Sequence, residues 1–211
     1  MRTGSGTADV AATLVDADLG GLAALVRGWT VEVAGAEGDH RGSGVIWHPD
    51  GLVVTNAHVV REGRRVRLRY GDGREGAARL LARDDRHDVA LLHADRGGHP
   101  DVPLGNPAAL RAGALVLALG HPHGVPNALT MGVVHAVARD RRGAPRHIAA
   151  DLRLAPGNSG GPMVDATGRL VGINAMIVGG LGVAIPVNVV ARVIARAGAS
   201  GLLPWRVAWA A

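Results

Sequence analysis

The chain contains no cysteine, no lysine and no phenylalanine, and aromatic residues make up only 2% of its 211 residues. Without cysteine it can form no disulfide framework, thiol nucleophile or thiolate metal site. With so few aromatic rings, its core must be built mainly from Val, Leu, Ile and Ala, and β-branched residues favour sheet. The hydrophobic content of 47% is ample for a buried core in one large domain or two small ones.

All 23 basic residues are arginine, and the formal net charge is +5. Arginines cluster in residues 61–69 and 139–146, and a basic face is typical of a nucleic-acid-binding protein. However, acidic residues are interspersed and the aromatic residues that stack on bases are almost missing. We therefore interpret these clusters as solvated surface and predict no nucleic-acid partner.

Long apolar runs are also missing from the sequence. No window approaches the ~20 apolar residues that a membrane-spanning helix needs. In residues 10–26 the aspartates Asp16 and Asp18 interrupt the apolar stretch, so the N-terminus does not match a secretory signal. We predict no membrane partner and a cytoplasmic location, with a periplasmic or secreted location as the alternative if the start is incomplete.

Short apolar or alternating stretches recur along the chain, separated by Gly, Pro, Asn and Asp. In the first half they are residues 29–33, 43–47, 52–55, 66–70, 76–82 and 88–93. In the second half they are residues 114–119, 129–137, 148–154, 163–164, 170–173 and 182–185. Regular spacing of short strands predicts an all-β antiparallel sandwich or barrels.

Helical patterns flank these strands. Apolar residues in 8–27 recur at three- and four-residue steps, and those in 187–197 share one helical face that Gly198 is expected to end. We predict an N-terminal helical segment over 1–28, a main domain over 29–200 and a tail over 201–211. Within the main domain we expect a first half at 29–95, a linker at 96–112, a second half at 113–186 and a helix at 187–197.

One polar loop, Gly157-Asn158-Ser159-Gly160-Gly161-Pro162, has an unusual density of glycine around a serine. Such a loop could present the Ser159 hydroxyl and point the amides of Gly157 and Ser159 at one spot, as an oxyanion hole requires. Taken alone, the same residues are also typical of a simple tight turn.

Acyl transfer by a serine also needs a base and a carboxylate that orients it, and the candidates are His58 and Asp88. Asp88 leads directly into the apolar run 89–92, where an unpaired carboxylate would be costly. Taken singly, His58 could be a core histidine and Asp88 a turn cap. The order histidine, aspartate, serine is that of chymotrypsin-type proteases.

The chain resembles the trypsin-like serine proteases of the HtrA or Deg type. The matching motifs, in the family's order, are residues 42–46 (GSGVI), 55–60 (TNAHVV), 88–92 (DVALL), 104–107 (LGNP), 157–162 (GNSGGP), 172–174 (GIN) and 184–186 (AIP). The resemblance implies two six-stranded antiparallel β-barrels with short N- and C-terminal helices. It also implies an active site in the cleft between the barrels.

The resemblance assigns His58 as general base and then acid, Asp88 as its orienting carboxylate and Ser159 as nucleophile. Gly157, Asn158 and Ser159 would form the oxyanion hole. The implied activity is that of a serine endopeptidase that hydrolyses unfolded or flexible polypeptides, with a non-catalytic peptide-binding module of the same fold as the alternative. No cofactor is implied. We predict no metal site, because His121 and His123 have no carboxylate or cysteine nearby in the sequence.

The resemblance also suggests residues that bind the substrate. Ile173, Asn174 and Ala175 would form a strand edge on which a substrate chain pairs. Arg153 stands where a small residue is expected near the specificity pocket. It could point inward and favour acidic or polar side chains, or point to solvent and leave a pocket for small aliphatic ones.

The resemblance carries expectations about the whole protein. Relatives usually continue into one or more PDZ domains, for which the residues after 186 leave no room, so we expect a protease domain without PDZ. A homo-oligomer, in particular a trimer built through N-terminal contacts, is possible by resemblance.

Overall fold

A computed structural model describes residues 19–35, 41–60 and 65–203 of the chain. In these ranges the chain forms two closed β-barrels, each of six antiparallel strands. This architecture confirms the all-β fold predicted from the sequence. The part of the predicted N-terminal helical segment before residue 19 and the tryptophans of the tail, Trp205 and Trp209, lie outside the described residues.

Barrel one comprises the first six strands. They are β1 (Thr30–Gly35), β2 (Arg41–His48), β3 (Leu52–Thr55), β4 (Arg65–Tyr70), β5 (Glu75–Asp84) and β6 (Val89–Ala94). Their order around the barrel is β1-β2-β3-β6-β5-β4, and pairing of β1 with β4 closes it. Therefore β3 and β6 are neighbours, and the residues that follow β3 lie beside those that precede β6.

Barrel two comprises the last six strands. They are β7 (Leu115–Gly120), β8 (Ala128–Arg139), β9 (Pro145–Asp151), β10 (Pro162–Asp165), β11 (Leu170–Val178) and β12 (Leu181–Pro186). Their order is β10-β11-β12-β9-β8-β7, closed by pairing of β10 with β7. The loop that contains Ser159 directly precedes β10. The C-terminal end of this loop is therefore held in place by barrel two.

Strand β7 illustrates how the alternation of side chains builds two cores. Val116 and Ala118 join the apolar cluster inside barrel two. Leu117 and Leu119 join a larger cluster that includes barrel one and the C-terminal helix. Because successive side chains of a strand point to opposite faces, an unbroken apolar run serves a barrel interior on one side and the contact between barrels on the other.

Two α-helices flank the barrels: α1 over residues 19–28 and α2 over Val187–Ala199. The buried residues of α2 recur at three- and four-residue steps, which is typical of a helix packed on one face. This face belongs to the cluster shared by barrel one and barrel two. Within the described ranges, every helix is too short or too polar to cross a lipid bilayer.

Helix α2 ends two residues later than the sequence predicted. Gly198 remains helical, and Gly201 takes the left-handed conformation, with φ of 69°. The amide of Leu202 donates to the carbonyl of Ala197, and the amide of Gly201 donates to that of Gly198. This pair of hydrogen bonds is the Schellman arrangement, in which the glycine just beyond the helix ends it.

Candidate active site

His58 lies on a single 3-10 turn, Ala57–Val59, that follows β3 directly. Ala57 and Val59 are buried, and the His58 side chain is 45% exposed. The buried side chains of Ala57 and Val59 thus hold the turn in place, and the imidazole of His58 lies at the surface.

His58 and Asp88 are joined by two hydrogen bonds. Nδ1 of His58 lies 2.8 Å from Oδ2 of Asp88, and the His58 amide donates to Oδ1 at 3.0 Å. Since a carboxylate only accepts hydrogen bonds, Nδ1 carries the proton and Nε2 of a neutral ring is left as an acceptor. The pair therefore has the tautomer that a general base at Nε2 needs.

Asp88 has a backbone conformation that is unusual for a residue with a Cβ. Its φ of 52° lies in the left-handed region, which non-glycine residues rarely adopt. The side-chain amide of Asn56 donates to the Asp88 carbonyl at 2.9 Å, holding this turn against the end of β3. Asn56 was not a predicted site residue, although its adjacency to His58 was visible in the sequence.

Ser159 is held by contacts with both barrels. Its Oγ donates to the carbonyl of Ala175, on β11, at 3.1 Å. Its own carbonyl accepts a hydrogen bond of 2.7 Å from the amide of Ser43, on β2 of barrel one. The serine loop is thereby attached to the strand that pairs with β3, from which the turn of His58 emerges.

Two glycines permit this close approach between the barrels. A Cβ on Gly42 would lie 2.7 Å from both methyl groups of Val59 and 3.0 Å from the Ser159 carbonyl. Gly160 has φ of 85°, and a Cβ there would overlap the Ser43 carbonyl and the Thr55 hydroxyl. Only a residue without a side chain fits at either position, which explains the glycines on both sides of the cleft.

The amides of the serine loop divide into two groups. Those of Asn158, Gly160 and Gly161 donate to backbone carbonyls of Ala155, Asn174 and Asn158, respectively. Those of Gly157 and Ser159 have no acceptor among the described residues. Gly157 and Ser159 thus retain free donors for an anionic oxygen, whereas the Asn158 amide is already engaged.

A buried cluster that the sequence did not reveal supports this loop. The Ser43 hydroxyl donates to the Gly157 carbonyl at 2.7 Å and accepts a hydrogen bond of 3.1 Å from the His121 amide. Nδ1 of His121 lies 3.2 Å from the same hydroxyl. Because the single hydroxyl proton goes to Gly157, Nδ1 of His121 must donate.

Burial lowers the pKa of His121 to about 4, with the nearby Arg69 acting in the same direction and Glu32 opposing. The ring is therefore neutral at neutral pH. Its neighbour His123 is exposed, so the two histidines do not converge. Among the described residues, no group of three or more His, Asp and Glu side chains is placed to hold a metal ion.

The predicted substrate-binding residues occupy different environments. Ile173 and Asn174 are fully buried, and their backbones pair with β12 on one side and with Pro162 and residues 160–161 on the other. Residues 176–178 of β11 pair only with β12 among the described residues, and their side chains are exposed. The free edge thus begins at Ala175 and continues to Val178, further along the chain than predicted.

Arg153 is exposed and has no ion pair or side-chain hydrogen bond within the described ranges. Its neighbours Leu152 and Leu154 face the other way. Their Cδ1 atoms lie 2.7 Å and 3.1 Å from the point that a Cβ on Gly182 would occupy. Leucine side chains therefore pack directly against Gly182 on β12.

Comparison with known proteins agrees with this geometry. The family model of the trypsin-like peptidase domain matches residues 42–173, more than half of the chain. The chain belongs to the trypsin-like serine protease family. It is also similar in structure to the HtrA-type protease AlgW with decapeptide, with a TM-score of 0.68 and 36% sequence identity, over 74% of this chain and 51% of that one.

Curated relatives in this protease family carry one recurring name, probable periplasmic serine endoprotease DegP-like. The chain is 39% identical over 173 residues to that of Pseudomonas fulva (strain 12-X), which is 78% of this chain and 36% of the relative. It is 38% identical over 159 residues to that of Halomonas elongata, 70% of this chain and 33% of the relative. The chain thus spans about a third of the length of these relatives.

These names contradict the predicted cytoplasmic location, because the relatives are named periplasmic. The prediction was wrong because it depended on the residues at the start of the chain. In a sequence that spans about a third of its relatives, those residues carry no information on export.

Proposed function

We propose that this member of the trypsin-like family is a serine endopeptidase that hydrolyses unfolded or flexible polypeptides through a His58, Asp88 and Ser159 triad. The observation that carries the proposal is the doubly bonded pair of His58 and Asp88, with Nε2 of His58 left as an acceptor. The peptide in the AlgW structure supports a polypeptide substrate. The names of the relatives support a periplasmic location.

Acylation begins when the Ser159 hydroxyl turns from the Ala175 carbonyl toward Nε2 of His58. As Oγ bonds to the carbonyl carbon of the substrate, its proton passes to Nε2 of His58, and Asp88 stabilises the imidazolium that forms. The negative charge on the substrate oxygen is accepted by the free amides of Gly157 and Ser159. Asn158 contributes by holding the loop, since its amide donates to Ala155.

The tetrahedral intermediate then breaks its C–N bond, and the leaving amine takes the proton from Nε2 of His58. A water molecule repeats the sequence in the second half of the reaction: it gives a proton to Nε2, adds to the acyl carbon, and Ser159 leaves with that proton. Each half of the reaction returns His58 to its neutral state, and the second half restores the Ser159 hydroxyl, so no cofactor is required.

The substrate is held by strand pairing along residues 175–178. An antiparallel partner of β11 there runs toward Ser159, because β11 runs away from it. The residues before the cleaved bond would therefore lie beside Met176, Ile177 and Val178. Pairing through the backbone suits extended polypeptides of varied sequence.

The side chain directly before the cleaved bond is expected to contact Leu152 and Leu154, which pack against Gly182, whereas Arg153 is exposed to solvent. Apolar contacts of this kind in a confined space favour small aliphatic side chains. This is the second of the two interpretations of Arg153 that the sequence left open.

The proposal is tested by fluorophosphonate labelling and casein hydrolysis. We expect native protein to be labelled on Ser159, and Ser159→Ala to lose both the label and at least about a thousandfold of the activity. Asp88→Asn should lower kcat by ~10⁴-fold, because the carboxylate no longer selects the tautomer of His58. Ser200→Ala, at the end of α2, is the matched control.

Two results would contradict the proposal. One is a native protein that binds casein peptides but is never labelled, which is the behaviour of a non-catalytic binding module. The other is casein hydrolysis that persists unchanged in Ser159→Ala.

A further inference from the structure

A cationic recess lies between the two barrels and helix α2. We call it the arginine recess and define it by Arg86, Arg146 and Arg192 together with Met176, Ile185 and Val189. Its volume is about 130 Å³. The three arginines come from different elements: the turn before β6, strand β9 and helix α2. It is therefore a product of the tertiary fold.

The three guanidinium groups have no direct ion-pair partner among the described residues. Within the described ranges, none of them takes part in an ion pair or a side-chain hydrogen bond. Asp140 is close to Arg146 and Arg192, but its carboxylate accepts the amides of Ala144 and Arg142 instead. Like charges that share a recess repel one another, so an anion bound there relieves repulsion as well as forming its own contacts.

Asp88 also borders the recess, but its carboxylate oxygens are occupied. One accepts from Nδ1 of His58 and the other from the His58 amide. The arginine recess therefore borders the proposed triad, but both carboxylate oxygens of Asp88 already accept hydrogen bonds from His58.

The floor of the recess is apolar. Ile185 and Val189 are buried, and Met176 connects the recess to the free edge of β11. A side chain with a short aliphatic stem and a charged tip matches such a floor and rim, since its stem contacts the apolar atoms while the tip meets the guanidinium groups.

We propose that the arginine recess binds an acidic side chain of the substrate polypeptide, two to four residues before the cleaved bond. The inference rests on the proposed endopeptidase function and names a substrate preference of the same site. The residues before the cleaved bond run beside Met176, and alternate side chains of an extended chain point to the same side. One of them is thereby directed toward the recess.

The preference is distinct from that of the side chain directly before the cleaved bond. That side chain is expected to contact Leu152 and Leu154 beside Gly182, and none of these three residues lines the recess. The two preferences can therefore be measured independently by changing one peptide position at a time.

The test compares pairs of fluorogenic peptides that differ only by Glu or Gln at one position, with valine kept before the cleaved bond. We expect kcat/KM to be about three- to fivefold higher for Glu at one position between two and four residues before that bond. The ratio should fall toward one in 0.5 M NaCl, because salt screens partly exposed charges.

Variants of the recess locate the effect. Arg192→Gln and Arg146→Gln should each lower the Glu to Gln ratio, and Arg192→Lys should retain part of it. Arg196→Gln, one turn further along α2, and Arg153→Gln are matched controls that remove the same charge outside the recess. They should leave the ratio unchanged.

Binding of the same peptides to Ser159→Ala, measured by fluorescence anisotropy, keeps the test independent of catalysis. A ratio near one at every position, or a ratio that survives in both Arg192→Gln and Arg146→Gln, overturns the recess proposal while cleavage continues to support the protease. Preferential binding of the Glu peptide without any cleavage by the native protein supports the recess and overturns the protease.

Discussion

The Ser43 hydroxyl donates a hydrogen bond of 2.7 Å to the carbonyl oxygen of Gly157. The bond joins β2 of barrel one to the loop of barrel two that carries Ser159. Both partners are buried, and the backbone amide of Ser43 binds the Ser159 carbonyl two residues away. One residue of barrel one therefore holds the serine loop at two points.

Replacing Ser43 by alanine tests whether this bond positions the loop. Ser43→Ala leaves the Gly157 carbonyl and the His121 amide only their long mutual hydrogen bond of 3.4 Å and leaves Nδ1 of His121 without its partner, which should cost about 1–3 kcal/mol of unfolding free energy. We also expect kcat to fall about tenfold with little change in KM, because the free amides of Gly157 and Ser159 lose their preorganisation. Urea unfolding and peptide kinetics give the two values. Loss of stability at unchanged kcat would show that the bond is merely structural.

His121 makes stability depend on pH. Its pKa is lowered from 6.5 to about 4 by burial, with Arg69 reinforcing and Glu32 opposing. Between these two pH values the unfolded chain binds a proton there and the folded chain does not, so stability is complete above about 6.5 and falls toward 4. The loss is on the order of 3 kcal/mol and levels off below 4.

The measurement is urea unfolding from pH 7.5 to 4 for native protein, His121→Asn and His123→Asn. His121→Asn should flatten the curve, whereas the exposed His123 serves as a matched control. Equal slopes for all three proteins would refute the assignment to His121.

Gly160 can be compared with a second glycine of the same backbone conformation. Gly160 and Gly73 have φ of 85° and 86°, but a Cβ on Gly73 meets nothing within 4 Å, whereas one on Gly160 overlaps the Ser43 carbonyl. Gly73→Ala should cost about 1 kcal/mol from backbone strain alone. Gly160→Ala should cost at least about 2 kcal/mol more and abolish fluorophosphonate labelling. Equal costs in urea unfolding would contradict the close approach of the barrels.

Glu32 is a buried carboxylate held between two arginines. Its oxygens lie 3.1 Å from Nη1 of Arg41 and 2.6 Å from Nη2 of Arg69. Glu32→Gln should lower the free energy of unfolding by about 1–3 kcal/mol, a value reduced by the solvent exposure of both arginines. The exposed Glu75 nearby is the matched control, and Glu75→Gln should change stability by less than about 0.5 kcal/mol. Equal urea midpoints for the two variants would refute a stabilising role for the Glu32 pair.

Much of the fold was predictable because it depends on local patterns. Alternating and apolar stretches marked all twelve strands, their spacing favoured an antiparallel sandwich or barrels, and the family resemblance implied the two barrels. The boundaries were less accurate: β9 begins at Pro145 and β11 extends to Val178. The ends of these strands depend on hydrogen bonds with neighbouring strands. The residues of a single segment do not specify which strands will be its neighbours.

The sequence by itself determined which residues we propose to carry the chemistry. His58, Asp88 and Ser159 stand in motifs whose glycines and apolar neighbours are readable along the chain, and the carboxylate of Asp88 demanded a partner because burial of an unpaired charge is costly. Only the tertiary structure decided what surrounds them. Ser43 and His121 meet Gly157 across the barrels, residues 176–178 form an exposed edge of β11, and three arginines from separate elements face one recess. Contacts between distant segments are set by packing and strand register, and these arise only when both barrels close.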